Sequence, residues 1–532
     1  MPAGANWRER NESFASAGPQ VEWDVDRIKV LAASISLAAL ALTACSQAEP
    51  EAEATGLIAT SADACDAFDI SALGTGEGKA TWVEAVEGLP AHCEISATLS
   101  PVEGSAIGVV YRLPAEWNGK LLGIGGGGWA GNLTIEAAAE GLAKNFATMQ
   151  TDGGHPGMDV WANSWVAENP VAAEDFSHRA VHEMTVAGKR VAASLYGTEH
   201  ESAYFNGCST GGRMALMEAQ RYPEDYDAII AGAPVYSLQV QTSAVFRNQT
   251  FATDEGAAGF TPADLQLVQT AALAACDGSD GLEDGLINDP RACTFDPAKL
   301  QCTGDKDESC LSGDQVKALK QVYAGQRASD DSWSMFPMSR GGEAGWSMFM
   351  ATDGSGTDPT GGGGLGNLFP LFFERGERPT LASFDNSSYL AVRASPFAEM
   401  YEAKSPDLSA FFERGGKLML WHGESDPGPS PVGSTDYALQ VLGANPQASE
   451  QFRYFLLPGV GHCRGGPGAD LVDYLAAMDE WVSGGTAPDR LIGTKDDGSL
   501  TRPHCAWPKV AHYKGEGDTN NPASWTCEPR KS

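Results

Sequence analysis

Positive charge is what this chain has least of. Its 36 Lys and Arg stand against 70 Asp and Glu, a formal net charge of -34 over 532 residues. Such a surface repels phosphate, which excludes nucleic acid and the face of an anionic membrane as partners. The surplus acid itself reads most simply as a device for solubility. Long apolar runs are also missing. The most apolar stretch, Val30 to Leu42, is too short to span a bilayer as a mature helix. No internal repeat is found. The run Gly361 to Gly364 has no strand before it and no helix after it, so it reads as a loop and not as a phosphate cradle. What the chain does have is a globular composition, 42% hydrophobic with 13 Trp, and enough length for two domains.

The apolar stretch follows Arg27 and Lys29 and ends at Leu42-Thr43-Ala44-Cys45. That is the pattern of a bacterial lipoprotein leader, in which cleavage leaves Cys45 as the lipidated first residue. Residues 1–45 are therefore expected to be a signal region. The acidic, polar stretch before Arg27 suits a leader poorly, so its start is expected downstream, at Val21 or Val25. Residues 46–61, rich in Ala and Glu, read as a flexible tether. The expectation is an exported protein held to the outer membrane by a lipid, with no other membrane contact. Cysteine usage agrees, because setting Cys45 aside leaves an even ten of the 11. Proximity suggests Cys276 with Cys293, Cys302 with Cys310, Cys505 with Cys527, and Cys65 with Cys93. Cys208 and Cys463 remain.

Strand and helix signals alternate on both sides of a long irregular stretch. Ile107 to Leu113 and Lys120 to Ile124 read as two strands around a turn at Asn118-Gly119, and Asp175 to Leu195 as a helix. Ala203 to Phe205 is a short strand, Arg213 to Arg221 a helix, and Ala228 to Pro234 another buried strand. From 235 to 406 the alternation fades, which marks an inserted lid. The pattern resumes with strands at Gly416 to Trp421 and Phe452 to Leu457 and a helix from Ala469 to Val482. The fold expected is an α/β-hydrolase: residues 62–234 and 407–532 form one α/β domain, interrupted by the lid over 235–406.

Between the strand at 203–205 and the helix at 213–221 lies Gly207-Cys208-Ser209-Thr210-Gly211. A G-x-S-x-G turn between strand and helix exposes its serine, but a serine hydroxyl needs a base and a group that orients the base. Asp426 and His462 each follow an expected strand, in the chain order Ser, Asp, His of this fold. The Cys neighbours of Ser209 and His462 can be joined, which ties the two loops together. Each choice has a rival. Ser209 alone could be an ordinary turn serine. His422 is an alternative base, here assigned to the substrate side or to a supporting place behind the three residues, because it stands only four residues before Asp426. Glu424 is the nearest competitor to Asp426 as acid. An oxyanion needs two N–H donors, each worth roughly 3 kcal/mol in the transition state. Thr210 supplies one, and the glycine loop Gly125 to Trp129 is expected to supply the other.

In the lid, Asp277, Asp280 and Asp284 lie in a loop closed by Cys276 and Cys293, with backbone carbonyls between them. Hard oxygen donors at this density suit calcium, although the spacing is not that of an EF-hand and an acidic solvated turn is the plain alternative. A structural role is expected.

Several of these stretches together resemble the tannase/feruloyl esterase family. They are Asp175-Phe176, His182-Glu183-Met184, Gly207 to Arg213, Arg221 to Asp227, the Asp-rich loop and Gly461-His462-Cys463. The resemblance runs from about Cys65 to the C-terminus. It implies hydrolysis of esters of aromatic acids such as gallate and ferulate; bacterial mono(hydroxyethyl) terephthalate hydrolases belong to the same family. It also implies a Cys208–Cys463 disulfide, Gly128 as the oxyanion donor of the glycine loop, a lid over the aromatic acyl group, and calcium on Asp277, Asp280, Leu282, Asp284 and Leu286. Gly428-Pro429-Ser430 departs from the bulkier residues of that family. A general carboxylesterase, lipase or peptidase with the same three residues, and a calcium-dependent binding lipoprotein without catalysis, are the competing functions.

Overall fold

Runs of apolar, β-branched and small residues build a nine-stranded sheet at the centre of the computed structural model, which describes residues 56–74, 78–356, 364–373 and 378–530. Its strands are β1 (Gly78–Val83), β2 (His92–Leu99), β3 (Ile107–Pro114), β4 (Lys120–Ile124), β5 (Ala147–Thr151), β6 (Ser202–Cys208), β7 (Ala228–Gly232), β8 (Lys417–Gly423) and β9 (Phe452–Leu457). Their order across the sheet is β9-β8-β7-β6-β4-β5-β3-β2-β1. β4 to β9 run parallel, while β1, β2 and β3 form an antiparallel flank. β5 and β7 are buried along their whole length, and Tyr204, Phe205, Leu418 and Leu420 on the flanking strands are fully buried. That is why these strands read as continuous apolar runs and not as alternation. This is an α/β-hydrolase fold.

Helices cover both faces: α1 (Ile135–Ala143), α2 (Ala180–Tyr196), α3 (Thr210–Arg221) and, after the insertion, α7 (Pro431–Ala444) and α8 (Tyr474–Gly484). The insertion carries α4 (Gln239–Phe251), α5 (Pro262–Cys276) and α6 (Gly313–Ala324). α5 and α6 both start with a capping box, Thr261 with Asp264 and Ser312 with Gln315. They pack over a core of their own that includes Leu265, Val268, Leu319 and Trp346. The regular structure of the lid is thus mostly helical, which its Gly, Asp and Ser content concealed.

Several expectations change. The strands at 107–114 and 120–124 form but do not pair with each other, because β5 lies between β3 and β4. The helix expected from Asp175 opens with a π-helical turn, Asp175–Arg179, before α2. The buried Arg213 of α3 donates to the Phe176 and Ser177 carbonyls at 2.9 and 2.6 Å, which gives that widened turn a partner. The helix expected from Ala469 begins at Tyr474, where the Asp473 side chain caps it. Within the expected tether, Ile58 and Ala59 pair with Trp117 and Glu116, and the Ser61 side chain caps a short helix that starts at Ala62. The leader, Cys45, the tether as far as residue 55 and Gly361 to Gly363 lie outside the described residues. Among the described residues no helix is long and apolar enough to cross a membrane.

Five disulfides are present: Cys65–Cys93, Cys208–Cys463, Cys276–Cys293, Cys302–Cys310 and Cys505–Cys527.

Candidate active site

Ser209 sits between the end of β6 and the start of α3 with φ 63 and ψ -121. A non-glycine residue pays for such a backbone, and it persists only where its surroundings enforce it. Small neighbours enforce it here. A Cβ on Gly207 would meet the Gly211 carbonyl at 2.5 Å, and one on Gly212 the Gly232 carbonyl at 2.3 Å. The Ser209 hydroxyl is thereby presented to His462, whose Nε2 lies 2.9 Å from Oγ. His462 Nδ1 in turn meets Asp426 Oδ2 at 2.7 Å. Ser209, 253 positions before His462, joins it and Asp426 in one hydrogen-bonded relay. The Cys208–Cys463 bridge, with Cα atoms 5.9 Å apart, ties the serine turn to the histidine loop.

Asp426 is fully buried. Burial pushes its carboxyl up, yet His462 and His422 outweigh that and hold it down at about 2. It is therefore an anion whenever His462 needs one. Glu424, the rival acid, is spoken for: Arg291 meets it at 2.6 Å and Arg530 at 3.5 Å. His422 is not on the substrate side, one of the two places expected for it. Its side chain is completely buried behind Asp426, with Nε2 3.1 Å from Oδ2 and Nδ1 2.7 Å from Ser434 Oγ. It lies on the same strand end as Asp426 and turns inward with it.

The glycine loop faces the serine turn. The Thr210 hydroxyl donates to the Gly128 carbonyl at 2.6 Å, so the two residues expected to hold the oxyanion are in contact. Gly128 has φ +56, and a Cβ there would meet the Val160 carbonyl at 2.1 Å. Only glycine fits.

Gly128, Ser209, Thr210 and His462 open onto a cavity of about 580 Å³. Its walls are largely apolar: Trp129, Val235, Val245, Leu365, Leu381 and Tyr401. That volume is in the range of small-molecule binding sites. Trp161 and Phe349 also line it, the Phe349 ring standing edge-on to Trp161 at 5.9 Å and to His462 at 5.1 Å. Apart from Trp129, which closes the glycine loop, none of these lid and loop residues is marked in the sequence. They come from scattered positions with no shared period, so no local signal marks them. The same holds for Arg247 of α4, which also lines the cavity.

A match to the family described as tannase and feruloyl esterase covers residues 93–360 and 368–528. The chain belongs to the tannase and feruloyl esterase family. The mono(2-hydroxyethyl) terephthalate hydrolase of Piscinibacter sakaiensis is 33% identical over 82% of this chain and 85% of its own. Feruloyl esterase B of Aspergillus niger is 31% identical over 82% of this chain and 86% of its own. The crystal structure of feruloyl esterase B from Aspergillus oryzae superposes with a TM-score of 0.78 at 25% identity, over 88% of this chain and 100% of that one. Like these members of the family, the protein is a carboxylic ester hydrolase.

The acidic loop of the lid is also assembled. Asp277 accepts from the backbone N–H groups of Asp284 and Gly285, and Asp280 from Leu282 and the Asn288 amide. Asp284 accepts from Leu286 N–H and pairs with Arg502 at 2.5 Å. Burial, with Asp284 and Asp277 adding to it, pushes the Asp280 carboxyl up to about 6. Arg502 brings one positive charge to Asp284, and carboxylates with backbone carbonyls between them are oxygen donors of the kind a hard cation takes. Among the described residues, however, no three His, Cys, Asp or Glu side chains converge at metal-binding spacing.

Proposed function

We propose that this protein is an exported serine esterase that hydrolyses esters of phenolic and related aromatic acids through an acyl-enzyme. The observation that carries the reading is the Ser209–His462–Asp426 relay opening onto a largely apolar cavity of about 580 Å³. Ser209 Oγ attacks the ester carbonyl carbon while His462 Nε2 takes its proton. The oxyanion lies against the N–H groups of Thr210 and Gly128. His462 returns the proton to the leaving alcohol, and the acyl group stays on Ser209. Water then enters by the same base and the free acid leaves. Asp426 holds the imidazole in the tautomer this needs and faces the imidazolium when it forms.

Feruloyl and terephthalate monoesters are the substrate class suggested by the relatives, and the aromatic walls at Trp129 and Tyr401 support it. Five disulfides support an oxidising compartment. Anchoring through Cys45 at the outer membrane is part of the proposal. So is calcium held by the carboxylates of Asp277, Asp280 and Asp284 and the carbonyls of Leu282 and Leu286, where it would offset crowded charge and brace the lid. Chelation should then lower the melting temperature, and an unchanged one would remove the cation.

The test is hydrolysis of methyl gallate, methyl ferulate, chlorogenate and terephthalate monoesters beside aliphatic esters and peptides. Aromatic esters should be turned over best, and Ser209→Ala should abolish turnover of all of them. Retained activity in that variant, or a clear preference for aliphatic chains, would overturn the reading.

A further inference from the structure

Asp426 receives more than the relay requires. Its Oδ1 accepts from the Gly428 N–H at 2.8 Å, while Oδ2 takes both His462 Nδ1 at 2.7 Å and His422 Nε2 at 3.1 Å. His422 Nε2 faces a second acceptor, the Pro429 carbonyl, at 3.2 Å. Two oxygens without hydrogens meet that nitrogen, so the ring's proton is on Nε2, and Nδ1 accepts from the Ser434 hydroxyl. His422 is thus a fixed donor aimed at the carboxylate.

The loop that follows Asp426 is clamped from the lid. Arg247 of α4 is buried, with 1% of its surface exposed. One guanidinium nitrogen donates to the Gly428 carbonyl at 2.8 Å and the other to the Phe336 carbonyl at 3.2 Å. Beside it, Ser430 Oγ donates to the Pro337 carbonyl at 2.7 Å. Both partners of Arg247 are uncharged, and a buried cation bonded only to carbonyls is expensive to keep. The carboxylate whose field it feels is Asp426, which opposes the downward pull of burial on the guanidinium. An arginine serving only to cover the cavity would not need both ends tied to backbone.

We propose that Arg247 and His422 are positioning residues for Asp426: the lid arginine fixes the 426–430 loop and faces its charge, the strand histidine fixes Oδ2, and together they aim the ring of His462 at Ser209. The lid is then part of the base machinery as well as a wall of the pocket. This rests on the relay being the catalytic one.

The test uses the full, disulfide-bonded chain with Arg247→Met, Arg247→Lys, His422→Leu and His422→Gln, on a small acetate ester and on the best aromatic ester. Misplacing the base by a fraction of an ångström should lower kcat about 10- to 100-fold on both esters in R247M and H422L, with KM within about threefold. H422Q, whose amide can donate from nearly the same place, should recover most of that loss. R247K, which keeps the charge but gives up one carbonyl bond, should fall between R247M and the parent. The far-downfield proton resonance of the His462–Asp426 hydrogen bond should persist in S209A and be broadened or lost in R247M and H422L. Folded variants with unchanged kcat and an unchanged resonance would overturn the proposal, as would a change confined to KM on the aromatic ester, which would make Arg247 a binding residue. Should R247M and H422L fail to fold, R247K running at the parent kcat would overturn it equally. Turnover by S209A would instead sink the relay itself, so the two failures are distinguishable.

Discussion

Asp426 decides how the site responds to acid. A buried carboxylate ordinarily titrates upward, because a low-dielectric interior penalises its charge. Here the two histidines outweigh that, and its proton leaves at about 2. The sign follows directly: the group stays charged as pH falls and takes no part in the loss of activity until strongly acidic solution. Infrared difference spectra between the parent chain and Asp426→Asn should therefore show an ionised carboxylate at this position throughout the acid limb of the activity profile. A protonated carboxyl there in mildly acidic solution would contradict this. Legibility at this scale was uneven. Ser209, Asp426 and His462 could be named from sequence because each follows a strand signal and they come in a known order. His422 has two places open to it in the sequence, the substrate side and a supporting place behind the three residues, and the structure puts it in the second. Four residues separate it from Asp426, and spacing alone does not say whether a strand-end side chain turns inward or outward. Its burial behind Asp426 settles that it faces the core.

At the scale of elements, the site depends on where three loops leave the parallel sheet. The turns after β6, β8 and β9 all lie at the carboxyl ends of neighbouring strands, where catalytic loops gather in such sheets. Those strands were readable because buried parallel strands are nearly continuous apolar runs. The antiparallel flank of β1 and β2, the insertion of β5 between β3 and β4, and the π-helical turn before α2 were not. Each is set by long-range pairing or by the distant Arg213, and neither leaves a local period. The loops after β6 and β9 are further joined by Cys208–Cys463. Reduction of that bond, or paired Cys208→Ser and Cys463→Ser, should lower turnover at temperatures well below the melting transition, because the Ser209–His462 separation is no longer fixed from both sides. Equal turnover with both thiols demonstrably free would contradict this.

Across the whole molecule, the lid adds most of the cavity wall and the part least visible in the sequence. Its helices hide among Gly, Asp and Ser, and its cavity residues converge from positions as far apart as Val235 and Tyr401. The excess of acid, 70 residues against 36 basic ones, leaves the surface hostile to polyanions, while the pocket itself is apolar. A neutral aromatic ester meets no opposition from either. The chemistry proposed for that pocket has one obligatory covalent species, an aromatic acyl group on Ser209. Rapid mixing with an activated ferulate or gallate ester, acid quench and intact-mass and peptide-mapping spectrometry would look for it. The expected result is a transient mass increase of one acyl group, located on the peptide that contains Ser209 and absent from S209A. Turnover of the same ester with no acylated species in the parent chain, or with the acyl group on another residue, would contradict it.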